Sequence, residues 1–250
     1  MTPIARAALT GLLFLAAATP ATAVTLGQVD DFEDGTTQGW VVAFGPGGGV
    51  HPVPPQAIGT GGPQGADDGY LLLSAIGGPA AGGRLTAGNL SQWTGDYLAA
   101  GVDRIGMWVN NFGPTDLLLR LLVEGPMGAP PSNIAFSADP VAVTAGTGWQ
   151  QIAFSLDPAD LIAGLGTVEG ALSNTTTVRL FHGSADAFPG EPVAAQLGVD
   201  DISALAAVPE PATWALLIAG FGAVGAMLRR GDRSGPHRLT AMPRGRNDLG

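Results

Sequence analysis

Hydrophobic and polar positions alternate with a period of two in several short runs of this chain. Over residues 103–110, Ile105, Met107 and Val109 fall on one face, with Arg104, Trp108 and Asn110 on the other. Residues 117–124 group Leu117, Leu119, Leu121 and Val123 opposite Arg120 and Glu124, and residues 150–156 repeat the period through Ile152, Phe154 and Leu156. Such alternation predicts strands, because successive side chains leave opposite faces of a pleated backbone. Residues 24–32, 40–44, 70–75, 175–181 and 197–205 are further strand candidates. One short helix is predicted over 158–163, with Asp157 as N-cap and Pro158 at the first helical position, where a missing N–H is harmless. Residues 45–69, mostly Gly, Pro and small polar side chains, read as a long surface loop. Many short strands between frequent turn signals predict an all-β fold, a single jelly-roll-like β-sandwich over 24–207.

The two ends break this pattern. Arg6, a short apolar core over 7–18 and the small-x-small triplet Ala21-Thr22-Ala23 read as a signal peptide over 1–23, cleaved after Ala23. Export translocon and signal peptidase are its expected partners. Near the other end, residues 212–228 form 17 uncharged positions. As a helix they would span about 25 Å, against about 30 Å of hydrocarbon, a short but sufficient transmembrane helix. Pro209 and Pro211 stop any helix upstream, Trp214 sits where an interfacial ring belongs, and Arg229 and Arg230 hold the far end in the cytoplasm. Gly220 and Gly222 thin the helix.

Pro209-Glu210-Pro211-Ala212-Thr213-Trp214-Ala215, then Gly220-Phe221-Gly222, then Arg229-Arg230, resembles a PEP-CTERM sorting signal. The resemblance covers residues 208–230. It implies a bacterial envelope protein processed by an exosortase, a membrane-embedded cysteine transpeptidase, and delivered from the inner membrane to the cell surface or medium, often among exopolysaccharide. Such signals usually stop just after the arginines, whereas residues 231–250 continue here as a basic tail expected to be disordered.

Charge sharpens the partition. The chain has no lysine and no cysteine, and only four arginines stand between residues 24 and 208 against 18 Asp and Glu, a formal charge of −14. Such a surface repels nucleic acid and anionic lipid. It suits an exported body or one that binds divalent cations. Without cysteine there is no disulfide, no thiolate nucleophile and no Cys-ligated metal.

Asp31-Phe32-Glu33-Asp34-Gly35 running to Trp40 resembles the opening of galactose-binding-like jelly rolls, the fold of many carbohydrate-binding modules, and Leu197-Gly198-Val199-Asp200-Asp201-Ile202 resembles their closing strand. The resemblance implies neighbouring termini with a structural calcium between them. Glu33 and Asp200 would then be side-chain ligands, with Asp31 or Asp201 nearby, since a hard cation takes several oxygens. Read as residues alone, these acids are solvated turn carboxylates.

No catalytic constellation emerges. His182, Ser184 and Asp186 lie at i, i+2 and i+4 of one stretch, whereas a triad converges from separate elements beside an oxyanion hole. Asp67-Asp68 is an adjacent pair, without the separation across a bond that glycosidases need. The expectation is a non-enzyme. Aromatic rings are the remaining lead, because an apolar ring face stacks on a sugar. Trp40, Trp93, Trp108 and Trp149 are the candidate platform, with Trp108 either exposed or in a second layer of core. The leading expectation is a non-catalytic exported envelope or matrix protein; the alternative is a carbohydrate-binding module that recognises exopolysaccharide.

Overall fold

The computed structural model describes residues 23–42, 51–206 and Phe221. The chain divides into two bodies, residues 1–207 and 208–250, and Phe221 is the only described residue of the second. The first body contains, in chain order, β1 (Val29–Asp30), β2 (Trp40–Val41), β3 (Gln56–Ile58), β4 (Tyr70–Ile76), β5 (Thr86–Asn89), α1 (Tyr97–Ala100), β6 (Arg104–Asn111), β7 (Leu117–Gly125), β8 (Asn133–Ser137), β9 (Val141–Val143), β10 (Gln150–Ser155), β11 (Leu161–Leu165), α2 (Val168–Ser173), β12 (Thr177–His182) and β13 (Ala194–Leu205).

The strands make two antiparallel sheets. One runs β10-β6-β13-β4-β3, with β1 also paired to β13; the other runs β11-β8-β7-β12-β5-β2, with β9 on β7. The alternation predicted for β6, β7 and β10 is the sandwich core. Ile105, Met107 and Val109 are buried in it with Leu117, Leu119, Leu121 and Val123, as are Leu71, Leu73, Val178, Leu180, Leu197 and Val199 from the neighbouring strands. Each fully buried side chain of this size contributes about 1.5–3 kcal/mol. The all-β sandwich holds.

The first and last strands meet, as the opening and closing motifs implied. Val29 pairs with Ser203 and Asp30 with Ile202. Strand β13 also lies between β6 and β4, so the segment leading to the sorting motif is the central strand of its sheet.

Several expectations need correction. The helix predicted over 158–163 is a single 3-10 turn, Pro158–Asp160. Asp157 does cap it, accepting from the Ala159 N–H at 2.9 Å, but Leu161 is extended and begins β11. Pairing with β8 outcompetes the helix start. The strand expected over 24–32 pairs at only two residues, because Phe32 turns at φ 56°. That expected over 40–44 is strand only at Trp40–Val41, residues 43–44 lying outside the described residues. The long loop expected over 45–69 contains β3. The seven-stranded sheet also buries a patch on its outer face, where Leu122, Phe136 and Phe181 pack with Phe188.

Of the predicted cleavage site, Ala23 is described, bridging Thr94, and Ala21 lies outside the described residues. Pro209, Glu210, Pro211, Trp214, Gly220, Gly222, Arg229, Arg230 and most of the expected helix 212–228 also lie outside them. No helix among the described residues is long and apolar enough to cross a membrane.

Candidate functional site

Two features stand out on the six-stranded sheet and its β3–β4 connection. The first is an acidic cleft of about 500 Å³ lined by Asp31, Glu33, Gln64, Ala66, Asp67, Asp68 and Asp201. It forms where the turn after β1, the 59–69 connection and a bulge in β13 converge. The β13 register shifts between Asp200 and Ser203, and Asp201 sits there at φ 47°. With Phe32 also left-handed, two non-glycine residues in a strained conformation flank the acids, a placement typical of functional sites.

Asp200 does not line the cleft but lies next to Asp201 in β13, and it is the unusual acid here. It is 1% exposed, and neither carboxylate oxygen receives a well-formed hydrogen bond. Burial raises its pKa to about 7; the Asp201 backbone N–H offsets part of this, while the charges of Asp201, Asp68 and Glu33 add to it. A buried carboxyl without partners costs several kcal/mol unless something neutralises it. Four acids of the cleft are tied down. Glu33 Oε1 accepts from the Gly69 N–H at 2.8 Å, Asp68 Oδ2 from the Gln64 N–H at 2.6 Å, and Asp201 Oδ2 from the Gln64 side chain at 2.6 Å. Asp31 accepts from the Gln38 side chain at 3.1 Å. Among the described residues, no three side chains of this kind are close enough to form a finished metal cage.

The second feature is an aromatic patch on the sheet's outer face. Tyr70, Phe112 and Trp149 contact one another with ring centroids 5.3–5.9 Å apart. Phe112 is 44% exposed and the other two rings are half-buried. Gly198 of β13 lies beneath, where a Cβ would come within 2.7 Å of Trp149 and 2.8 Å of Phe112. The missing side chain makes the seat for both rings. Trp149 donates its indole N–H to the Gly61 carbonyl at 3.0 Å.

Of the four tryptophans proposed as a platform, Trp149 belongs to this patch, and half-buried Trp108 pairs in register with Asp200 and Gln151 on the same face. Trp40 and Trp93 do not belong. They are 1% and 0% exposed, and both donate to Asp30 Oδ2 inside the core. Tyr70 and Phe112 were missed because only tryptophans were weighed; the outward position of Tyr70 follows from the alternation of Leu71 and Leu73. Gln64 was missed, and Asp68 was weighed only as half of an adjacent pair, because a connection's path across a sheet leaves no periodic signal.

The His182 stretch makes no triad. His182 Nδ1 accepts from the Leu118 N–H at 3.0 Å, and Nε2 lies 3.3 Å from Glu191. Burial lowers the His182 pKa. Asp186 pairs with Arg120 at 2.8 Å, so the acid and the imidazole serve different partners.

Comparison with known proteins adds two findings. No curated protein matches the chain. Among solved structures, a family 11 carbohydrate-binding module from Clostridium thermocellum, in complex with a β-1,3-1,4-mixed-linked tetrasaccharide, is 13% identical, with TM-score 0.48 over 74% of this chain and 98% of that one. A xylan-binding domain from Paenibacillus barcinonensis is 16% identical, with TM-score 0.41 over 74% and 99%. A family 28 module specific for non-crystalline cellulose is 13% identical, with TM-score 0.42 over 75% and 99%. Residues 207–231 match the PEP-CTERM protein-sorting motif, so this chain carries the sorting signal of an exported, exosortase-targeted protein destined for the cell surface.

Proposed function

We propose that the chain is a non-catalytic envelope or matrix protein. Its signal peptide takes it through the export translocon and is removed after Ala23, residues 212–228 hold it transiently in the inner membrane, and an exosortase processes the signal. The β-sandwich is left at the cell surface or in the medium. The sorting motif at 207–231 carries this reading, supported by its position two residues beyond Leu205, the end of β13. The intact mass of protein recovered from the host's surface and medium tests it. The expected species begins at Val24 and ends near Pro209–Pro211; one that retains Trp214 to Gly250 overturns processing and leaves a plain anchor.

A second reading, carbohydrate recognition, is favoured by the Tyr70–Phe112–Trp149 patch, because exposed ring faces stack on the C–H faces of sugars. Affinity electrophoresis in soluble β-1,3-1,4-glucan and xylan tests it. Retardation should be lost in Trp149→Ala and Phe112→Ala and kept in Trp93→Phe; no retardation in either gel, nor in the host's own exopolysaccharide, overturns it.

We further propose that the acid cleft takes a structural calcium ion. The orphaned, buried Asp200 carboxylate next to Asp201 supports this, and the oxygen donors Asp31, Glu33 and Asp201 of the cleft, joined by Asp200, suit a hard cation. When bound, the ion would supply the charge that these acids lack. Calcium titration by calorimetry should show binding in the wild type and its loss in Asp200→Asn.

A further inference from the structure

The acid cleft and the aromatic patch share one backbone segment. The 59–69 connection leaves β3 and ends at Tyr70, the first residue of β4 and a member of the patch. At one end, the Gly61 carbonyl accepts the Trp149 indole N–H at 3.0 Å. In the middle, the Gln64 side chain holds Asp201 across the cleft while its backbone N–H holds Asp68, both at 2.6 Å. At the far end, the Gly69 N–H donates to Glu33 at 2.8 Å, one residue before Tyr70. The connection is also closed on itself, through Gly62 N–H to the Asp68 carbonyl at 2.9 Å and the Thr60 hydroxyl to the Ala66 carbonyl. It therefore moves as a unit rather than as a slack strand.

The groups that fix this connection are the cleft's own carboxylates. Asp68, Asp201 and Glu33 each spend an oxygen on it, and all three press their charge on the buried, unpartnered Asp200. An ion that draws those carboxylates together must draw Gln64 and Gly69 with them. The Gly61 carbonyl and Tyr70 follow.

We propose that a divalent cation in the acid cleft sets the aromatic patch, by ordering the 59–69 connection that carries Tyr70 and holds Trp149. Ligands at the patch would then bind more tightly with calcium present. Coupling of this kind is reciprocal: whatever the cation does for Trp149, the Trp149 tether does for the cation. The inference rests on the calcium reading of the cleft, and its test separates the two.

Calcium is titrated calorimetrically into the full chain, wild type and Trp149→Phe, which keeps a ring but removes the N–H donor. Trp149 emission is taken as the difference between the two proteins' spectra. The expected result is calcium binding roughly 5-fold or more weaker in Trp149→Phe, within the usual range of allosteric coupling, with Trp149 emission shifting as the wild type fills. Equal affinities with unmoved Trp149 emission overturn the coupling and leave the calcium reading intact. No binding to the wild type overturns both. Should Trp149→Phe fail to fold, Gln64→Ala takes its place: it cuts the link to Asp201, and its calcium-induced change in tryptophan emission should fall at least 5-fold. An undiminished change overturns the proposal.

Discussion

The carboxylate of Asp30 and the indole of Trp93 meet at 2.7 Å inside the core, and the same Oδ2 receives the Trp40 indole N–H at 2.7 Å. The Gln92 side chain also donates to Asp30. Two large rings that the sequence offers as sugar-binding surface are instead fixed where β1 meets the body of the sandwich. Burial raises the Asp30 pKa, which the two indoles partly counter.

The first prediction follows from this buried acceptor. Asp30→Ala leaves two buried indole donors unpaired, at about 1–3 kcal/mol each. Its thermal midpoint should fall well below that of Trp40→Phe, which removes one donor along with its need for a partner. Equal midpoints for the two variants would show that the hydrogen bonds contribute nothing beyond packing.

Arg120 gives a second. It is 2% exposed and donates to the carbonyls of Gly183, Ser137 and Ala138 as well as to Asp186. Asp186 is 62% exposed, so the ion pair is solvent-screened and worth at most about 1 kcal/mol. The carbonyls are another matter. Arg120→Met strips the donor from three of them, at about 1–3 kcal/mol for each left unsatisfied. Chemical denaturation should therefore show Asp186→Ala close to wild type and Arg120→Met several kcal/mol weaker. A large loss in Asp186→Ala would reverse that ranking.

His182 carries a pH prediction. Its Nδ1 accepts from Leu118 N–H, so the ring is neutral with its proton on Nε2 towards Glu191. Burial lowers its folded pKa below 6.5, against the opposing pull of Glu191. The unfolded state then binds the proton first as pH falls. Stability from this group is fully present above about pH 6.5 and is lost as pH drops from there towards the folded pKa. The His182 ring-proton resonance should titrate below 6.5, and a midpoint above 6.5 would contradict the assignment.

How much of this was legible depended on how each strand is buried. Strands β6 and β7 announced themselves because one set of alternate residues points into the core. Strand β8, Asn133–Ser137, was not among the expected strands: its two large apolar residues, Ile134 and Phe136, pack in the outer cluster. The face that carries Ala135 into the main core is otherwise Asn133 and Ser137, so the run is short and its strongest apolar face turns away from the main core. The short β1 was overextended because the apolar residues Val24, Leu26 and Phe32 flank the two positions that pair. Asp31, Glu33, Asp200 and Asp201 could be grouped from the likeness of opening and closing motifs. Gln64 and Asp68 could not, since only the folded path of 59–69 carries them to that cleft. Ring type is written in the sequence, but the burial of Trp40 and Trp93 is decided by Asp30, dozens of residues from Trp93.

The last prediction concerns Gly198. On the outer face of β13 it leaves open the space into which Trp149 and Phe112 settle, and a Cβ there would stand 2.7 Å and 2.8 Å from their ring carbons. Real Cβ atoms do not approach so closely, so in Gly198→Ala both rings must move. The backbone itself gains, because alanine restricts the unfolded chain more than glycine does, by about 0.4–1 kcal/mol. These opposing terms leave the thermal midpoint nearly unchanged while the patch is displaced. Acrylamide quenching of Trp149 should rise, and retardation in any polysaccharide gel that holds the wild type should fall as it does in Trp149→Ala. A Gly198→Ala protein that binds and quenches like wild type would mean that the rings are not seated on this glycine, and the aromatic patch would lose its claim to be a built surface.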